Sequence, residues 1–376
     1  MAGRSKSIDI LRAVAVFLVL GMHTEMCPPG APEFVRVVVA ALGTGGWVGV
    51  DLFFVLSGFL VSGLLFREHQ LSGSISFARF FIRRGMKIYP AFWVFIGTTV
   101  MLRLLHHAEI PRGGLAAELL FVQNYWPGLW THTWSLAVEE HFYLLLPLCL
   151  VLLVKLPVRR DDPFRLVCLV FAILAPLCLL LRIATHLSLP EFSHKTHHFP
   201  THLRIDSLFF GVILSYFYHY YPLQFRRLSR RFSGLLLVLG VALLTPPFLY
   251  SHRLTPFIYT FGFTLLYLGS GMILASFVAC ETPVNWFTRT VSYIGAHSYS
   301  IYLWHTFIAY EVTAVAGRIM GSNGNWYVYA ACYWTGAVLF GIAMSLLVEY
   351  PFLRFRDRIF PSLSVGKAGG VTPPPK

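Results

Sequence analysis

The chain has 376 residues, 56% of them hydrophobic and only 12% charged, well below the roughly 25% of a soluble globular domain, which points to an integral membrane protein. The formal net charge of +13 does not signal nucleic acid, because the Lys and Arg residues sit in short connections between apolar runs and no basic domain stands apart. All but one of the six cysteines fall in or at the ends of apolar runs without C-x-x-C spacing, so no disulfide framework is expected.

Ten runs close to the ~20 residues needed to span a bilayer follow one another, at 8–27, 47–66, 88–107, 134–154, 164–183, 203–221, 232–250, 257–279, 291–311 and 329–349. The apolar segment 115–126 is too short and reads as interfacial or re-entrant. The first run has no small-x-small site before Pro28 and Pro29, so it is expected to stay in the mature protein.

Lys and Arg alternate between connections. Arg4 and Lys6 precede the first run; Arg67, Arg79, Arg83, Arg84 and Lys87 fill the second connection; Lys155, Arg159, Arg160 and Arg165 the fourth; Arg226, Arg227, Arg230 and Arg231 the sixth. Arg354, Arg356, Arg358, Lys367 and Lys376 follow the last run. The odd connections carry one each, Arg36, Arg112, Lys195, Arg253 and Arg318, and the eighth has Arg289 alone. By the positive-inside rule both termini are cytoplasmic, which agrees with an even number of spans. The expected fold is therefore an all-α integral membrane bundle of about ten transmembrane helices, with a domain over 1–356 and a disordered cytoplasmic tail over 357–376.

Ionisable side chains inside the runs carry the functional signal. Arg12 and His23 are eleven residues apart, nearly a whole number of turns, so they share one face about 16 Å apart along the first helix. An arginine at that depth costs about 3 kcal/mol or more, so the face is expected to line a protein interior or a wet passage. The orientation puts Asp51, Glu139, Arg204, Asp206 and His305 in the outer half of the membrane, with Ser57 deeper. Ser135, Glu139, Phe142 and Tyr143 share a helix face, from which Glu140 points about 100° away. Each has a plainer reading: His23 and His305 as interhelical hydrogen-bonders, Glu139 as an ion-pair partner of Arg204, Asp51 as a helix cap, and Ser57 and the tyrosines of 299–302 as packing.

The histidines at 194, 197, 198 and 202 lack a carboxylate or cysteine at fixed spacing and read as a plain histidine-rich loop, so no metal is expected. Gly43-Thr-Gly-Gly-Trp-Val-Gly49 follows no strand and is not a phosphate loop. No inverted repeat of the kind transporters use is visible.

Four landmarks together resemble the membrane acyltransferase 3 family of bacterial integral-membrane O-acyltransferases. These are Ile8-Asp-Ile-Leu-Arg12 with ten residues between Arg12 and His23, Gly49-Val-Asp-Leu-Phe-Phe-Val-Leu-Ser-Gly58, Trp134-Ser-Leu-Ala-Val-Glu139 with Phe142-Tyr143, and Ser298-Tyr-Ser-Ile-Tyr-Leu-Trp-His305. The likeness extends to about residue 356. The family's basic pair before the third helix reads Arg84-Gly-Met-Lys87 here, with lysine in place of the usual arginine, which keeps the charge and loses the planar fork.

The resemblance implies a multi-pass protein of the bacterial cytoplasmic (inner) membrane that O-acylates a sugar, a polysaccharide or a lipid-linked glycan with acetyl-CoA or another acyl-CoA. His23 is the expected general base. Glu139 is its expected orienter, with Asp206 or Asp51 as the second candidate, and His305 is a second imidazole. Arg83, Arg84 and Lys87 are expected to hold the nucleotide at the cytoplasmic face, with Arg12 flanking the threaded pantetheine arm. Some members carry a further esterase-like domain; without one, transfer is expected to finish within the membrane domain. The rival reading is a proton-coupled transporter or exporter, because intramembrane His, Glu, Asp and Arg also mark ion pathways.

Overall fold

The computed structural model describes residues 5–156, 162–320 and 325–361, with side chains omitted for 316–320, and these residues form helices and no strand. Arg4, Arg159, Arg160, Lys367, Lys376, the Arg318 side chain and the tail from 362 onward lie outside the described residues. In order the helices are α1 (Lys6–Met22), α2 (Glu33–Gly45), α3 (Val48–Ser72), α4 (Phe77–Leu105), α5 (Arg112–Leu119), α6 (Trp134–Lys155), α7 (Val167–Ser188) and α8 (Ile205–Tyr220). They continue as α9 (Pro222–Arg231), α10 (Ser233–Leu244), α11 (Pro246–Leu249), α12 (Phe263–Ala279), α13 (Trp286–Ala296), α14 (Ser298–Met320), α15 (Trp326–Met344) and α16 (Tyr350–Ile359).

Among the described residues six helical stretches are long and apolar enough to cross a membrane: Val48–Ser72, Phe77–Leu105, Thr131–Lys155, Val167–Ser188, Ile258–Ala279 and Trp326–Ile359. A seventh is added if Pro222–Arg231 and Ser233–Leu249, bent by 76°, count as one span. The other expected runs are helical but shorter or broken: α1 has 17 residues, α8 has 16, and run 291–311 is interrupted at His297 between α13 and α14. The first connection carries α2.

Helix α3 is the most deeply enclosed of the spans. It crosses α8 where Gly58 faces Gly211: a Cβ on Gly58 would land on the Leu208 carbonyl oxygen, and one on Gly211 on that of Val55. Between helices in a bilayer such close backbone approach supplies dispersion contacts that the hydrophobic effect cannot. Gly73, at φ +70°, ends α3 in the left-handed conformation, and the Ser76 side chain accepts from the Arg79 N–H to start α4. Two fully buried ion pairs fasten α8 to its neighbours, Arg204–Asp51 at 2.6 Å toward α3 and Arg182–Asp206 at 2.5 Å toward α7. All six cysteines are free.

Candidate active site

A crevice opens among α1, α3, α4, α6 and α14. Its walls are apolar at Val50, Phe53, Phe54 and Leu60 and polar at Arg12, Ser57, Arg84, Lys87, Glu139, Glu140 and Tyr302. Arg12 lies 3.9 Å from Asp9 on its own helix and faces this crevice, so the stripe of α1 is turned into the protein.

Tyr143 organises the middle of the crevice. The Arg84 guanidinium sits over its ring at 4.0 Å from the centroid and donates to its hydroxyl. That hydroxyl donates to Glu139 Oε2 at 2.7 Å and accepts from Ser57 Oγ at 2.6 Å. Ser57, Glu139 and Arg84 are thus joined in one network with the Tyr143 hydroxyl at its centre. Arg84 Nε is buried in it without a partner. On the other face of α6, Tyr89 donates to Glu140 at 3.0 Å.

Beyond Tyr302 lies a histidine cluster. Tyr302 lines the crevice and packs its ring 5.5 Å from that of fully buried His305, so it stands between the crevice and the cluster. His305 Nδ1 lies 2.5 Å from the Tyr302 carbonyl oxygen, which can only accept, so the proton belongs on Nδ1 and Nε2 carries a lone pair. That Nε2 lies 3.3 Å from His23 Nδ1, which also reaches the Val19 carbonyl at 3.0 Å. With two acceptors in front of it, His23 Nδ1 must be the protonated nitrogen. The basic atom of His23 is then Nε2.

His132 completes the cluster, edge-on to His305 at 5.2 Å. Its Nε2 donates to the Leu303 carbonyl at 3.1 Å and its Nδ1 accepts from Thr306 Oγ1 at 2.9 Å. Tyr302 Oη in turn donates to the His132 carbonyl at 2.7 Å and accepts from Ser135 Oγ at 2.6 Å, tying the cluster to α6.

The expected residues therefore separate into groups. His23 and His305 are together, and Arg12, Arg84, Lys87 and Glu139 share the crevice. Glu139 does not orient His23: among the described residues the hydrogen bonds of His23 go to Val19 and His305, and no carboxylate is among them. Nor does Glu139 pair with Arg204, whose partner is Asp51. Asp51 accordingly does not cap α3, and Asp206 is held by both oxygens on Arg182 and by the Ser207 N–H. In both pairs the carboxylate faces a guanidinium and neither side chain is exposed.

Arg83 departs too: it donates to the Phe360 carbonyl and pairs with Asp357 at 3.3 Å. That contact draws α16 onto α4 and carries ordered structure to Ile359, past the expected boundary at 356.

A family profile described as "Acyltransferase domain" matches residues 5–352. The "Peptidoglycan O-acetyltransferase OatA" of Listeria monocytogenes is 27% identical over 328 residues, covering 80% of this chain and 48% of that protein. The "O-acetyltransferase OatA" of Staphylococcus aureus is 30% identical over 323 residues, covering 79% of this chain and 49% of that protein. The chain spans about half the length of the curated relatives it matches. No solved structure matches it significantly.

Proposed function

The chain belongs to the acyltransferase family that its match over 5–352 defines, and from that premise we propose an integral-membrane O-acyltransferase, acting with an acetyl group, that uses acyl-CoA from the cytoplasmic side and a carbohydrate hydroxyl on the outer side. Peptidoglycan, named for the Listeria relative, is the acceptor class this reading favours. The alternation of Lys and Arg along the connections supports ten crossings with both termini cytoplasmic, in the bacterial inner membrane.

The observation that carries the proposal is the pairing of His23 with His305. With Nδ1 committed to Val19 and His305, His23 keeps Nε2 for a substrate proton. His23 Nε2 takes the proton of the sugar hydroxyl as the hydroxyl oxygen bonds to the thioester carbonyl carbon. The C–S bond then breaks, the thiolate takes that proton back from His23, and the products are an O-acyl sugar and free thiol. While His23 is an imidazolium, His305 Nε2 accepts a charge-assisted hydrogen bond from Nδ1–H and stabilises it.

The donor supplies an activated acyl group on a long uncharged arm ending in phosphates. Arg84 and Lys87 fit the phosphate end, since Arg84 Nε is a buried donor without a partner on the crevice wall. Arg12 flanks the arm. Tyr302, between crevice and imidazoles, is where the thioester would meet the cluster.

Purified chain in liposomes loaded with radiolabelled acetyl-CoA, with a soluble glycan outside, tests this reading. Label is expected on the outside glycan, as an alkali-labile ester. Glycan uptake or export without label would refute it in favour of transport.

A further inference from the structure

Four histidines of the segment 194–202 are not alike. His197 is saturated: Nδ1 accepts from the Ser193 N–H at 3.2 Å and Nε2 donates to the Leu189 carbonyl at 2.9 Å. His202 Nδ1 bonds Tyr125 Oη at 3.0 Å. His194 Nδ1 and both nitrogens of His198, by contrast, are buried without a partner, and so are both nitrogens of His252, which comes from the loop after α11. These three rings meet, with centroids 5.2 Å apart for His194–His252, 5.6 Å for His198–His252 and 5.7 Å for His194–His198. One donor atom from each lies within 4.8 Å of the others.

A buried imidazole nitrogen with no partner costs free energy, and three such rings, each bringing one donor atom within 4.8 Å of the others, ask for a ligand that accepts lone pairs. We propose that His194, His198 and His252 bind a zinc ion, which clamps the 189–200 segment to the loop after α11 over the outer ends of α3 and α6. Three imidazoles with no carboxylate or thiolate suit zinc and exclude calcium and magnesium, which take oxygen ligands. Moving each donor inward by less than about 1 Å would bring all three to the ~2.0–2.1 Å of a zinc–imidazole bond, leaving the fourth position of a tetrahedron for water.

Burial also keeps the donors neutral. It is the main cause that pushes His252 down to about 3, His194 down to about 4 and His198 well below its ordinary value, so their lone pairs are free at neutral pH. Arg204 and Arg253 add positive potential nearby; the charge of Arg204 is matched by Asp51 at 2.6 Å. The clamp would sit on Trp47, which precedes α3 and packs at 4.9 Å from His198 and 5.2 Å from His252, and on Trp134, which begins α6 and packs at 5.0 Å from His198. Helices α3 and α6 carry Ser57, Glu139 and Tyr143, so the site would brace the crevice from above without touching it. The inference stands apart from the catalytic reading.

The test is the metal content of the full chain, purified in detergent through a tag without histidines and gel-filtered after incubation with zinc sulfate. About one zinc per chain is expected in the unaltered protein and in His202→Gln, with background levels in His198→Gln and His252→Gln. Should the two site variants fail to fold, cobalt(II) added to the unaltered protein decides, by the visible absorption of a tetrahedral ion, displaced by zinc. No bound zinc and no cobalt spectrum would overturn the proposal, as would equal loss of zinc in His202→Gln.

Discussion

His305 offers Nε2 to the Nδ1 of His23 at 3.3 Å, and among the described residues the side-chain hydrogen bonds of the two rings include no carboxylate. The orienting part that a buried acid plays in many acyl-transfer sites falls here to two backbone carbonyls and a second imidazole. A carbonyl fixes the tautomer as a carboxylate would, but it carries no full charge, so in the proposed mechanism stabilisation of the imidazolium would rest on His305.

The first prediction follows from that division. His23→Ala removes the base and is expected to lower kcat by about 10²–10⁴-fold, with the KM for acyl-CoA little changed. His305→Gln keeps an acceptor of similar reach and is expected to lose less, again in kcat. Single-turnover transfer of labelled acetyl measures both. A His23→Ala protein with full turnover would remove the proposed base.

The basic cluster of α4 divides in a way its sequence conceals. Arg84 faces the crevice with a free Nε, whereas Arg83 is spent on Asp357 and the Phe360 carbonyl. Arg84→Ala is expected to raise the KM for acyl-CoA about 10-fold or more, the loss of one charge-assisted contact of ~1.5–3 kcal/mol. Arg83→Ala is expected to leave KM unchanged and to make the segment after Glu349 more accessible to protease. Equal KM effects from the two variants would contradict this assignment.

How much of this could be read from the chain depends on where the physical signal lies. Arg12, His23 and Glu139 were legible because a polar group in an apolar helical run is costly and helical spacing says which of them share a face. The same rule applied to the run 164–183 marks Arg182 as well. Its partner Asp206 lies 2.5 Å from it in a fully buried ion pair. His132 and His252 carry no such mark. Each lies in a connection between helices, where a histidine is unremarkable, and only tertiary contact brings one to His305 and the other to His194 and His198. Among the described residues six of the ten expected runs, or seven if the bent pair counts as one, have the length and apolarity of a span; α1 and α8 are short and His297 breaks a continuous apolar run, features set by packing and capping and not by hydropathy.

The buried pair of Arg182 and Asp206 gives the second kind of prediction, on stability. Asp206→Asn leaves a guanidinium without its charge partner in the bundle and is expected to destabilise by about 3–5 kcal/mol. Replacing both residues by leucine is expected to recover most of that loss, because neither charge is then left alone. Thermal unfolding in detergent measures this, and transfer per folded molecule should stay near normal in the double variant. A double variant that folds but does not transfer would return Asp206 to the chemistry.

Glu118, on the short helix α5, supplies a pH dependence whose sign can be worked out. Its Oε1 accepts from the Leu129 and Trp130 N–H groups at 2.9 and 3.1 Å and from Thr133 Oγ1 at 3.0 Å, while Oε2 is buried without a partner. Burial outweighs those donors and pushes the carboxyl up to about 7 from an ordinary value of 4.5. Between those two values the folded chain keeps a proton that the unfolded chain has released, so stability falls as pH rises from about 4.5 through 7. The buried His194 and His252 act in the opposite sense, since their charged forms exist only in the unfolded chain below about 6.5; their contribution grows with pH up to that point and then levels off. Glu118→Gln keeps the acceptor oxygen and removes the ionisation, so the difference between the two proteins isolates one group. The unaltered protein is expected to lose melting temperature relative to Glu118→Gln as pH is raised from about 5, most steeply near pH ~6, with the loss levelling off above about 7. Melting curves that stay parallel across that range would mean that Glu118 is ionised throughout, with Oε2 reached by a donor such as water.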